Sequence, residues 1–83
     1  MGTILTMRRG ERAQISAIDS VGDESATRRL HEMGFDDGVD VEVLHRGPVG
    51  GDPIAVRVGN MTVALRKALA VRISVEPFRE AAE

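Results

Sequence analysis

The chain contains no cysteine, no tryptophan and no tyrosine. The first absence removes disulfides and zinc–thiolate ligation as supports for the fold. The other two remove the aromatic groove on which proline-rich peptides dock and the stacking platforms that hold single-stranded nucleic acid. Phe35 and Phe78 are the only aromatic side chains. Neither sign of charge dominates, because 11 basic and 13 acidic residues are mixed along the chain for a net charge of -2. Nucleic-acid binders show a basic excess or a basic face, so no nucleic-acid partner is expected. No apolar run approaches the ~18 residues of a membrane span. No secretory signal is visible, so the expected location is cytoplasmic, without direct membrane insertion.

Catalytic and phosphate-binding motifs are missing as well. Ser16, Ser20, Ser25 and Ser74 stand in no nucleophile-elbow pattern. His31 and His45 are the two histidines, and neither belongs to a recognisable constellation, so no enzymatic activity and no cofactor are expected. The segment "GPVGGDP" (residues 47–53) has the glycine content of a phosphate cradle, but no lysine follows and a strand pattern succeeds it. A P-loop needs the lysine and a helix, so a flexible hairpin connection is the expectation. Met1-Gly2 with Thr6 meets the N-myristoylation pattern. That pattern is short enough to arise by chance, and an ordinary amino terminus ahead of a buried Ile4 and Met7 is the simpler reading.

What is present is 83 residues, 42% of them hydrophobic and nearly all of those aliphatic. The length fits a single domain spanning 1–83, with its core in about 4–75 and a frayed tail at 77–83. Thr6 and Gly10 mark a short turn after Ile4. Residues 12–19 alternate, with Ala13, Ile15 and Ala17 on one face. Asp23 is placed to cap a helix beginning at Glu24, on which Ala26, Leu30 and Met33 form a narrow apolar stripe. Gly34 stands where the helix ends. Residues 39–46 alternate again, as do 54–58, with Ile54, Val56 and Val58 inward. Gly59-Asn60 has hairpin-turn chemistry, and Met61, Val63 and Leu65 return inward from it. "KALA" is a short helical turn, and 71–75 form the last strand. Five short strands and one inserted helix predict a mainly β fold, a small antiparallel barrel closed so as to leave no exposed edge.

The segments "RLHEMGF", "GGDPIAVRV", "VALRKALA" and "ISV", in that order after Gly10, resemble the FeoA family of bacterial ferrous iron transport. The likeness spans about residues 4 to 75. It implies an SH3-like β-barrel and a non-enzymatic partner of FeoB, the GTP-dependent membrane ferrous iron transporter. The same module is associated with repressors resembling the diphtheria toxin repressor. Two alternatives therefore stand beside the transporter partner: a free-standing relative of that repressor module, and a direct iron carrier. Two positions depart from the family pattern, with Asp37-Gly38 for the usual Pro-Gly and Leu69-Ala70 for a frequent Glu-Ala.

The donor-rich stretch "RRLHEMGFDDG" (residues 28–38) invites a metal-site reading that its spacing argues against. His31 and Glu32 are adjacent on the expected helix and point about 100° apart, whereas a chelating pair needs a spacing of three or four. Arg28 and Arg29 lie four and three residues before Glu32, which suits surface ion pairs of a few tenths of a kcal/mol. No metal site is expected. The candidate partner contacts are the outward helix residues Arg28, Arg29, His31 and Glu32, together with Pro48 and Val49 on the glycine-rich loop. Weak homo-oligomerisation is compatible with the sequence. Arg28, Arg29, Arg46, Arg57, Arg66, Lys67 and Arg72 are the residues from which a basic patch would have to be built, with a mixed-charge solvated surface as the simpler reading.

Overall fold

The computed structural model describes residues 2–19, 22–48 and 50–77. Met1 of the acylation pattern, Val49, Phe78 and the expected tail beyond Pro77 lie outside the described residues. In chain order the elements are β1 (Gly2–Thr3), a 3-10 turn (Ile4–Thr6), β2 (Arg12–Ile18), α1 (Glu24–Glu32), β3 (Asp40–Gly47), β4 (Gly51–Val58), β5 (Met61–Leu65), α2 (Lys67–Ala70) and β6 (Ile73–Pro77). The strands make one antiparallel sheet in the order β1-β6-β2-β3-β4-β5.

The five expected strands are β2 to β6, and β1 is added by pairing Gly2 with Val75 and Thr3 with Ser74. The sheet is not the closed barrel expected, because its outer strands β1 and β5 are not paired to each other. The reason is local. Thr3 already ends the strand: its hydroxyl accepts from Leu5 N at 3.2 Å, and Thr6 Oγ1 accepts from Thr3 N at 3.2 Å. These side-chain bonds turn the backbone into the 3-10 segment before β1 is long enough to reach across.

The core gathers inward positions of β2 to β6 with Ile4, Met7, Ala26, Leu30, Phe35 and Ala70. Ile4, Leu30, Phe35, Val43, Ile54, Val56, Leu65, Ala70 and Ile73 are all 0% exposed. No polar or charged residue is buried among those described, so any recognition chemistry has to lie on the surface.

Simple alternation fails where a strand carries an extra residue. Ile15 pairs with Val75 but Ala17 with Ser74, so Ser16 is bulged out and Ala17, expected inward, is exposed while Ile18 packs on the core. Leu44 is the corresponding extra residue in β3, between the pairs Val43–Val56 and His45–Ala55. β4 begins at Gly51, so the glycine-rich loop is much tighter than residues 47–53. A Cβ on Gly47 would stand 2.5 Å from the Asp52 carbonyl oxygen, so only glycine permits this approach of the two strands. The Gly59-Asn60 turn has positive φ at Gly59 alone, the pattern of a type II′ hairpin. Met61, expected inward, is 54% exposed because it begins β5, the edge strand on that side among the described residues. The last strand starts at Ile73, later than expected, since Val71 and Arg72 complete the turn out of α2.

Candidate partner-binding surface

Helix α1 owes its position to its two ends. Asp23 Oδ1 accepts from Ala26 N at 2.9 Å, satisfying one of the free donors of the first turn, and Glu24 lies where the helix dipole favours an anion. At the other end Phe35 N donates to Leu30 O and Gly34 N to His31 O, both at 3.0 Å, with Gly34 at φ +101°. This is a Schellman closure, which brings Phe35 back over Leu30, and both side chains are fully buried. The stripe of Ala26 and Leu30 is thereby fixed against the sheet, with Met33 half-buried at the cap, and the remaining residues are turned to solvent.

All four helix candidates, Arg28, Arg29, His31 and Glu32, are exposed. They do not act as one group. Arg28, His31 and Glu32 line a shallow depression with Glu24 and Thr27. Arg29 lines a separate groove between α1 and α2, with Asp23, Ser25, Ala26, Arg66, Ala68 and Leu69. The ion pairs expected from Arg28 and Arg29 to Glu32 are not formed among the described residues. With both partners in water, the attraction does not repay the ordering of two long side chains. His31 Nδ1 instead stands 3.8 Å from Asp36 Oδ1, with both side chains well exposed, a separation too long for a hydrogen bond.

Pro48 is exposed at the tip of the β3–β4 hairpin and lines neither depression. Lys67 Nζ donates to Gly50 O at 2.9 Å, and Lys67 N donates to Asp52 Oδ1 at 3.1 Å, tying the hairpin to α2. Helix α2 thus borders both the Arg29 groove and the hairpin.

The basic residues from which a patch would be built are mostly committed elsewhere. Arg46 Nη2 donates to Leu5 O at 2.9 Å and also to Met7 O. Arg57 pairs with Glu42 at 2.9 Å, and Arg72 Nη1 donates to Asp19 O at 3.3 Å. With Lys67 on Gly50, only Arg28, Arg29 and Arg66 of the seven hold no such bond among the described residues. Arg66 and Leu69 are the surface residues that sequence reasoning did not join to the helix candidates. Their meeting with Arg29 depends on how α2 packs beside α1, which no local spacing encodes. Among the described residues no three histidine, aspartate or glutamate side chains converge as metal ligands would, and no helix is long and apolar enough to cross a membrane.

The fold is shared with solved structures. One is a zinc complex of FeoA from Stenotrophomonas maltophilia, described as a prokaryotic SH3-domain protein and suggested ferrous iron transport activating factor. It is 34% identical with a TM-score of 0.79, over 92% of this chain and 91% of that one. Iron(II) transport protein A from Clostridium thermocellum is 32% identical with a TM-score of 0.81, over 90% of this chain and 44% of that one. A manganese-dependent transcriptional repressor is 25% identical with a TM-score of 0.81, over 92% of this chain and 41% of that one. The chain therefore spans less than half the length of the last two. No curated protein sequence matches it. The mainly β, SH3-like fold expected from the sequence is borne out by these likenesses. The family model described as the FeoA domain matches residues 3–77, and with that match the chain belongs to the FeoA family, whose members are tied to ferrous iron transport.

Proposed function

We propose that this protein is a small cytoplasmic accessory protein of ferrous iron uptake that works without catalysis, by contact with the cytoplasmic part of a FeoB-type membrane transporter. The observation that carries the reading is the outer face of α1. Arg28 and Glu32 are exposed and, among the described residues, hold no ion pair, on a helix capped at Asp23 and fixed to the core through Leu30 and the closure at Phe35. Such a face offers charged groups on a backbone whose position is set in advance, so that association has only the side chains left to order. Pro48, on a hairpin anchored by Lys67, supplies a second raised contact, and Val49 is proposed with it from its place in the sequence. To regulate transport, the protein must bind two states of the transporter with different affinity, so that binding shifts their populations.

A second reading draws on the likeness to the manganese-dependent repressor, in which a domain of this shape is part of a longer chain. A stand-alone relative of that module would act in metal-dependent transcription. The described helices have nine and four residues, too little for a helix-turn-helix that could bind DNA alone.

The test is titration of the transporter's soluble cytoplasmic domain with this protein in both nucleotide states, by calorimetry or interferometry. Binding at micromolar concentration is expected, stronger in one nucleotide state. The double change Arg28→Glu and His31→Glu should weaken it about tenfold or more, equivalent to at least 1.4 kcal/mol. No binding to about 0.5 mM in either state would overturn the reading, since no useful population shift survives such a weak contact. An anaerobic Fe(II) titration separates the carrier alternative, for which stoichiometric heat is required and under the present reading none is expected.

A further inference from the structure

Among the described residues β5 is the outermost strand on its side of the sheet, hydrogen-bonded to β4 and open on the other side. Sheets protect such edges with charge, proline, bulges or brevity. The opposite edge, β1, is protected by brevity, having two residues. β5 uses none of these devices. Its five residues, Met61-Thr62-Val63-Ala64-Leu65, carry no charge and no proline. Its ladder with β4 runs from Val58–Met61 to Ile54–Leu65 without a bulge. The two-residue turn at Gly59-Asn60 makes Val58–Met61 a hydrogen-bonded pair, so the backbone groups of Met61, Val63 and Leu65 face β4. The N–H and C=O of Thr62 and Ala64 then point outward, into solvent. The exposed side chains beside them are Met61, Thr62 and Ala64, with Val63 half-buried.

We propose that β5 is a self-association edge, to which a second copy of this chain adds its own β5 antiparallel about a two-fold axis at Val63. In this register Thr62 faces Ala64 of the second copy, and the outward N–H and C=O groups of both close into four hydrogen bonds. Val63 faces its own counterpart, Met61 faces Leu65, and Asn60 comes beside Arg66, so no like charges meet. This self-complementarity favours a second copy over a foreign strand: every outward backbone group is paired and the half-exposed Met61 is covered. A five-residue edge buries well under the ~1,200 Å² of a stable interface, so the dimer is weak, with a dissociation constant on the order of 100 µM.

Residue-resolved amide exchange by NMR, at about 20 µM and about 1 mM, tests the register, and sedimentation equilibrium gives the oligomeric state over the same range. For the dissociation constant above, the Thr62 and Ala64 amides should exchange about fourfold more slowly at the higher concentration, while Met61, Val63 and Leu65 do not change. The double variant Thr62→Lys with Ala64→Lys, both at exposed positions, should keep the native spectrum of the core and lose the concentration dependence. Unchanged exchange at Thr62 and Ala64 overturns the proposal, even if sedimentation shows a dimer, because that dimer would use another surface. Slow exchange at the lowest concentration overturns it too, as does protection that appears only on adding a different protein.

Discussion

Arg46 sits on β3 among residues that a linear reading assigns to a surface patch, yet its guanidinium reaches the carbonyls of Leu5 and Met7. These carbonyls flank the end of the 3-10 segment, and one charged donor satisfies both across about forty residues of sequence. Arg46→Met keeps much of the aliphatic stem but leaves the two acceptors without that donor. The expected cost is about 1.5–3 kcal/mol, seen as a lower urea midpoint with an unchanged slope. Arg46→Lys should recover only part of it, because both bonds come from Nη2 and the lysine ammonium ends one bond short of that position. A loss below 0.5 kcal/mol in the methionine variant, about the scale of a neutral surface change, would mean the latch is idle.

Helix α1 has nine residues, fewer than the ~12–15 at which an isolated helix begins to hold in water. It therefore depends on its cap and on its buried stripe. Asp23→Ala removes the acceptor for Ala26 N and should cost about 1 kcal/mol, while Asp23→Asn should cost little. Leu30→Ala opens a void under Phe35 and should cost about 2–5 kcal/mol. Thermal unfolding followed by circular dichroism ranks the three, and an Asp23→Ala as costly as Leu30→Ala would show that the cap, not packing, governs the helix. These features were legible in the sequence because capping and helical period act over neighbouring residues. So were Ile54, Val56 and Val58, which keep strict alternation. The bulges at Ser16 and Leu44 were not legible, because an extra residue changes no composition and is defined only by the partner strand. Met61 was misplaced for a related reason, since alternation gives a face but not whether anything lies beyond it. At the candidate surface, the outward positions of Arg28, Arg29, His31 and Glu32 followed from the helical period. Their division between two depressions, and the approach of Arg66 to Arg29, came from tertiary packing alone.

For the whole molecule the decisive feature is the place of β6. It lies between β1 and β2 in the sheet and supplies Ile73 and Val75 to the core. A chain ending at Arg72 would leave β1 without a partner and open the core along one side. It should show no cooperative unfolding transition and little chemical-shift dispersion, whereas the full chain should unfold in one step. A cooperative transition in the shorter chain would show that the sheet stands without its inner strand.

The position of β6 also has a meaning for biosynthesis. Ribosomes extend chains from the amino terminus, and of the described strands the one made after all the others is inserted between the two made first. A nascent chain that has emerged as far as α2 holds β1 with no neighbour to seat it and β2 paired on one side only. Folding is in this way deferred until translation has passed Pro77, and a chain stalled before that point stays open to proteolysis.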